Sequence, residues 1–155
     1  MHPFLPHHQA YRSAIPQKFG RTDASIEILE IRFPNLTDLT LGGRITDQGL
    51  VHLSRLTLLE NLSLSGTDVE GSGLAYLSGL PSKLSKVIID SNKLTDEGMV
   101  ELSRLPTLRW LKIWDEKSIT ENGLDSLSRS PMLEELLLRN TVVSRFVRIY
   151  LSVIR

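Results

Sequence analysis

The stretch "LENLSLSGTDVEGSGLAYLSGL", Leu59 to Leu80, joins the two patterns that decide the fold. Its first half alternates, with Leu62 and Leu64 two residues apart, and this spacing predicts a short β-strand with one buried face. Its second half resembles "ITDQGLVHLSRL" at 45–56, where leucines spaced by three are typical of the apolar stripe of a short helix. The two patterns together predict one strand, a turn, one helix and a return.

Both patterns recur along the chain. The helix phrase returns as "LTDEGMVELSRL" from Leu94 and "ITENGLDSLSRS" from Ile119, and in degenerate form as "RTDASIEIL" from Arg21. The strand phrase, leucine-x-x-leucine-x-leucine, begins at five positions spaced 23, 25, 24 and 25 residues apart: Leu36, Leu59, Leu84, Leu108 and Leu133. Five aligned copies of two linked phrases predict a repeat architecture whose strands stack into one parallel sheet.

These residues resemble a leucine-rich repeat protein, most closely the ribonuclease-inhibitor-like and cysteine-containing subtypes. The resemblance covers Thr22 to Ser144 and is carried by the leucine phrase, a small polar residue and then I/V-T-D-x-G-L. It implies an α/β fold: a right-handed solenoid bent into a horseshoe arc, with a parallel β-sheet on the concave side and short helices on the convex side. Where the family often has cysteine or asparagine in the turn, this chain has Thr67, Asn92 and Thr141, which we expect to hydrogen-bond turn backbone.

The two ends depart from the repeat, as the ends of a solenoid do when they cover an open core. We predict a leucine-rich repeat domain of about five units over 21–144. Residues 1–20, rich in proline and histidine, form an N-terminal arm or an incomplete cap, and the sequence leaves that choice open. At the other end, Leu151 and Ile154 keep the helix register, so we predict a C-terminal capping helix over 145–155.

One glycine of the helix phrase is unexpected. Gly49 lies in the first turn of the predicted helix, where it costs about 0.5–1 kcal/mol relative to alanine, and it recurs as Gly73, Gly98 and Gly123. A cost repeated in four units indicates shared geometry, and we expect a side chain there to collide with the backbone of the turn or of the next unit. Asp47 and the other acidic residues of this phrase lie in first turns, where the helix dipole favours an anion.

The composition argues against several classes of function. The 155 residues are 41% hydrophobic, with 18 basic and 18 acidic side chains, which suits one domain with a sizeable core. Zero formal net charge argues against nucleic acid and anionic membranes as partners. The sequence contains no run of about 18 apolar residues, so it predicts no membrane span. Without cysteine there is no disulfide, no thiolate catalysis and no zinc-cysteine site, and we expect a cytoplasmic protein.

Enzyme motifs are missing from the sequence. It contains no phosphate-binding glycine loop, no glycine-x-serine-x-glycine elbow and no HExxH. His2, His7 and His8 lie in the terminal arm, where a disordered segment without a ligand is the simpler interpretation, and His52 lies at a solvent-facing helix position. We therefore expect a protein that is not an enzyme, with no cofactor and no metal site.

The outward face of the sheet carries the functional prediction. With the second and third leucines of each phrase buried, three positions per strand point outward. On the first two strands these are small polar groups, whereas the last three carry both tryptophans of the chain, two aliphatic residues and five charges. The predicted partner-binding residues are Lys86, Ile88, Asp90, Trp110, Lys112, Trp114, Glu135, Leu137 and Arg139.

Tryptophan and arginine are enriched at interface hot spots, so we expect a protein or peptide partner on this face. The turn "WDEKSIT" over 114–120 is one residue longer than its counterparts in the second, third and fifth units, and extra loop residues beside an aromatic patch are more often functional than architectural. Alternatively, the tryptophans pack on each other and on the stems of Lys86 and Arg139, or they contact a neighbouring domain or a second copy.

The sequence thus predicts a non-catalytic protein–protein interaction module that binds a protein or peptide through a concave sheet. The alternative is a substrate-recognition or regulatory part of a larger assembly. In an F-box-type ubiquitin ligase receptor an adaptor motif accompanies such repeats, and none is visible in residues 1–35; a bacterial multidomain protein is also consistent with the plain repeat. The oligomeric state and the partner's identity stay open.

Overall fold

The computed structural model describes residues 21–78, 83–90 and 93–150, with 144–150 described by their backbone. The predicted α/β class is confirmed, because each of the first four strands is followed by a helix that leads to the next strand. The elements in chain order are α1 (Asp23–Arg32), β1 (Asp38–Gly42), the 3-10 helix η1 (Gly49–Arg55), β2 (Asn61–Ser65), the 3-10 helix η2 (Ser72–Leu77), β3 (Lys86–Asp90), α2 (Asp96–Ser103), β4 (Trp110–Trp114), α3 (Glu121–Leu127), β5 (Glu135–Thr141) and β6 (Ser144–Tyr150).

The strands form one sheet in sequence order. β1 to β5 are parallel and in register, so that Leu62 pairs with Leu39 on one side and with Val87 on the other. The same register continues through β4 and β5. Equivalent positions of the five strands therefore lie in straight rows across the sheet.

One apolar core fills the space between the sheet and the helices. The second and fourth residues of each parallel strand are buried, and they share one hydrophobic cluster with helix residues such as Ile26, Leu74 and Met99. The predicted stripe Leu50, Leu53 and Leu56 is buried as well. Burying a leucine contributes about 1.5–3 kcal/mol, so the leucine phrases supply the main driving force for folding.

The predicted capping helix over 145–155 is wrong where the structure describes it. Residues Ser144–Tyr150 form β6, which pairs antiparallel with β5 after a two-residue turn at Val142 and Val143. An antiparallel neighbour needs only such a short turn, and aromatic and β-branched residues fill this segment, including Phe146, Val147 and Ile149. Residues 151–155, with Leu151 and Ile154, lie outside the described residues, as does the predicted arm or cap over 1–20.

Aspartates at or just before the start of the helices join neighbouring units, a role more specific than the expected helix-dipole effect. The expected first-turn position is wrong for Asp47, which precedes η1 and leaves the first turn of that helix without an acidic residue. The Asp47 carboxylate accepts hydrogen bonds from the backbone N–H groups of Glu70, Gly71 and Gly73 at 3.0, 3.0 and 2.7 Å. Asp23 and Asp96 likewise accept the backbone N–H and the hydroxyl of the threonine in the following unit, Thr46 and Thr120. Each carboxylate thus accepts hydrogen bonds from backbone N–H groups that would otherwise lack an acceptor where two units meet.

The recurring glycines are required by the same junction, the contact between the helix starts of neighbouring units. A Cβ added at Gly98 would lie 2.5 Å from Leu94 Cδ1 and 2.9 Å from the Glu70 carbonyl oxygen. One added at Gly73 would lie 2.7 Å from Asp47 Cα, and those at Gly49 and Gly123 would collide with aspartate carboxylates, of Asp23 and of Asp96. The expected collision is confirmed, but its main partner is the preceding unit and not the next one.

We predict that Asp47→Ala lowers the free energy of unfolding by about 2–3 kcal/mol, because three backbone donors lose a charged acceptor. Chemical denaturation followed by circular dichroism measures the change. Asp125→Ala is the matched control: Asp125 is exposed and lies 3.7 Å from Arg129, so its loss should change stability by less than about 0.5 kcal/mol. Equal losses in the two variants would contradict the junction role.

We also predict that Gly98→Val destabilises the protein by about 2 kcal/mol or more, although valine is a better helix former than glycine. The cause is the collision with Leu94 and the Glu70 backbone. Glu97→Val, at an exposed position of the same helix, controls for valine in α2 and should cost no more than about 0.7 kcal/mol. A Gly98→Val protein as stable as the control would refute the steric argument.

Candidate functional site

We call the side of the sheet opposite the buried leucines the open face. It consists of the first, third and fifth side chains of β1 to β5, in the three rows that the sequence predicts. The first row is Asp38, Asn61, Lys86, Trp110 and Glu135; the second is Thr40, Ser63, Ile88, Lys112 and Leu137; the third is Gly42, Ser65, Asp90, Trp114 and Arg139. All nine predicted partner-binding residues therefore lie together on β3 to β5, while their binding role stays a prediction.

The half of the open face on β1 and β2 is small and internally paired. Asn61 Nδ2 donates to Asp38 Oδ1 at 2.8 Å, and the Thr37 hydroxyl donates to Asp38 Oδ2 at 2.7 Å. Because the side chains here are short, they leave a shallow depression of about 250 Å³ that reaches Lys86 and Ile88. The sequence predicts the small polar groups but not this depression.

The two tryptophans differ in their surroundings. Trp110 is 40% exposed, whereas Trp114 is half-buried and its indole N–H is enclosed without an acceptor among the described residues. An exposed indole is available to a partner, but a half-buried one also contributes packing. Trp110 is therefore the cleaner probe of binding, a distinction that strand alternation alone did not provide.

Three cations on the open face form no ion pair within the side chains that the structure describes: Lys86, Lys112 and Arg139. Three arginines on or next to the helices behave differently. A side-chain nitrogen of Arg55 lies 3.1 Å from a Glu30 carboxylate oxygen, and the matching distances are 2.6 Å for Arg104 and Glu101 and 3.7 Å for Arg129 and Asp125. These three arginines thus each have a carboxylate partner, which the three cations of the open face lack among the described side chains.

Lys93, which follows β3, has a pKa shifted from the ordinary value of a lysine. Its Nζ lies 2.9 Å from Asp68 Oδ1, and the hydrogen bond to Asp68, followed by the carboxylate's charge, raises the pKa of Lys93. A raised lysine pKa keeps the ammonium charged at neutral pH, so this group is unsuited to act as a general base.

The turn after β4 contains a buried acid that the sequence analysis missed. Glu116 is fully buried and its Oε2 accepts the backbone N–H of Leu94 at 3.1 Å. It follows Ile113 by three residues, as Thr67 follows Leu64 and Thr141 follows Leu138, and both threonines are also buried. Glu116 therefore has the turn-bonding role expected of that position, which makes this part of the long turn architectural.

A left-handed backbone position also recurs two residues after the fourth residue of four strands, β1, β2, β4 and β5. Gly43 and Gly66 have φ of 90° and 59°, and Asp115 and Asn140 take the same place with φ of 54° and 51°. Aspartate and asparagine tolerate this conformation better than other side chains. The Asn140 amide donates to the Asp115 carboxylate, so this pair too supports the turns.

Other classes of site receive no support in residues 21–78, 83–90 and 93–150. No group of three histidine, aspartate or glutamate side chains able to hold a metal occurs there. No helix among the described residues has the length and apolar character needed to cross a membrane.

Comparison with known proteins returns no match: no protein-family model matches the chain, and no curated protein matches its sequence. The function must therefore be argued from the open face itself.

We predict that Glu116→Ala lowers the free energy of unfolding by about 2–3 kcal/mol, because it leaves a buried backbone donor unpaired. Lys117→Ala, the exposed neighbour in the same turn, should stay within about 0.5 kcal/mol of the parent. Thermal and denaturant unfolding measure both. If the two variants are equally stable, the buried acid is not what holds this turn.

Proposed function

We propose that the protein is a non-catalytic interaction module that binds a protein or peptide partner through the open face. The observation that supports this most directly is the arrangement on β3 to β5, where an exposed tryptophan, a second tryptophan and two aliphatic side chains alternate with charges. Apolar groups framed by charges are typical of interface hot spots.

We further propose that the chain is a leucine-rich repeat solenoid whose open face is the concave side of the arc. The in-register strands and the spacing of the leucine phrases support this assignment. Such a surface is pre-organised, so a partner does not have to order it on binding.

Exposure of Trp110 favours a partner over self-contained packing. If the tryptophans only filled the open face, each would be expected to be buried by its neighbours. Trp110 instead keeps 40% of its surface exposed, although it lies between Lys86 and Glu135 in its row. A partner that covers it removes apolar area from water and gains about 25 cal/mol for each square ångström covered.

We predict that Trp110→Ala reduces capture of the partner at least tenfold, with a change in unfolding free energy of less than about 1 kcal/mol, since the side chain is exposed. Affinity capture from a cell extract with quantitative mass spectrometry measures the first effect and thermal unfolding the second. Tyr76→Ala is the matched control, because Tyr76 is a 43% exposed aromatic residue on η2, away from the open face. Identical captured sets from Trp110→Ala and the parent would refute the proposed function.

A further inference from the structure

The nine residues on β3 to β5 form a three-by-three grid with an ordered pattern of charge. The pairs Lys86↔Trp110↔Glu135, Ile88↔Lys112↔Leu137 and Asp90↔Trp114↔Arg139 are its rows. Lys86, Lys112 and Arg139 therefore lie on one diagonal, each one strand over and two residues along from the last. From strand spacing and rise, each diagonal step is about 8 Å.

Apolar side chains border this cationic diagonal on both sides. Ile88 and Trp114 form the parallel diagonal on one side, and Trp110 and Leu137 form it on the other. The central cation, Lys112, consequently has four apolar residues as its nearest grid neighbours and is itself half-buried.

We infer that the partner's contact segment is an extended acidic peptide that follows this diagonal and places carboxylates over Lys86, Lys112 and Arg139. The inference rests on the proposed function, since it names the chemistry of the partner for the same face. An extended chain presents alternate side chains on one side every ~6.6 Å, a spacing that flexible lysine and arginine side chains can match to the ~8 Å diagonal.

Loss of water from Lys112 on binding favours an acidic segment over a neutral one. A partner that covers the apolar diagonals also removes water from the Lys112 ammonium, which has no carboxylate within ion-pair distance among the described side chains. A neutral segment would leave that charge buried and unpaired, whereas a carboxylate neutralises it in a medium of reduced dielectric. At the Lys86 end, the depression over β1 to β3 can accept a side chain from the end of the peptide.

Carboxylates on the same face disfavour single-stranded nucleic acid, which also binds cations and aromatic rings. Asp90 and Glu135 occupy the two remaining corners of the grid, and Asp38 lies on the first row. A continuous phosphate backbone crossing this surface would pass close to these acids, while a short acidic segment on the diagonal passes between Asp90 and Glu135.

The test is a fluorescence anisotropy titration of the full 155-residue chain with labelled seven-residue peptides. The probe has glutamate at alternate positions and leucine between; matched probes replace glutamate by glutamine or by lysine, and a fourth is a short oligothymidylate. We expect the glutamate peptide to bind at least tenfold more tightly than each of the others, and its affinity to fall as salt is added.

Two matched protein variants locate the binding. Arg139→Glu reverses an exposed charge at the end of the diagonal, and Arg129→Glu makes the same change on the helix side, at an exposed residue. We expect the first to weaken the glutamate peptide at least tenfold and the second to stay within twofold. Lys112→Met, which keeps side-chain length and apolar packing, should also weaken it at least tenfold, with circular dichroism confirming the fold.

Several results would overturn the inference: equal affinity for the glutamate and glutamine peptides, tighter binding of the lysine peptide or the oligothymidylate, no binding of any probe, or equal effects of Arg139→Glu and Arg129→Glu. These results leave the proposed function standing if Trp110→Ala still loses a captured protein. If capture does not depend on Trp110, the proposed function itself is wrong.

Discussion

The in-register pairing of five parallel strands is the constraint on which the rest of the molecule depends. Because side chains alternate along a strand, a shift of one residue in any pair would move its leucines out of the core and its polar residues into it. The register instead continues unchanged from β1 to β5, so every leucine phrase faces one core and every intervening residue faces the open face. One hydrophobic requirement thus fixes both the interior and the surface.

Residues that recur from unit to unit serve the contacts between units, whereas the residues of the open face vary. The recurring glycine of the helix phrase and aspartates such as Asp47 serve the junction between units, where backbone from two units comes too close for a side chain. On the open face no residue type recurs across all five strands. The surface is therefore free to differ from strand to strand while the scaffold beneath it stays constant.

Most of the fold and the placement of the candidate site follow from the sequence, because period-two alternation and the spacing of equivalent leucines determine rows without further information. The prediction of a helix after 144 failed because residues 144–150 pair with β5. The apolar spacing used for that prediction, at Leu151 and Ile154, lies outside the described residues and says nothing about this segment.

Glu116 was missed because a glutamate in a lengthened turn suggests solvent, and its burial depends on a backbone N–H donated by the previous unit. The difference between Trp110 and Trp114 also depends on neighbours across the sheet. Such features are set by tertiary contacts that a single chain segment does not encode.

The antiparallel direction of β6 limits how this molecule can be enlarged. A parallel strand with its helix continues the pattern only beside another parallel strand, and at the β5 end β6 already occupies that position. At this end of the sheet, an added unit would therefore have to be inserted before β5, where it would add one residue to each of the three rows and widen the surface by about 4.8 Å. The width of the open face can thus be changed in steps of one strand, with the terminating hairpin left intact.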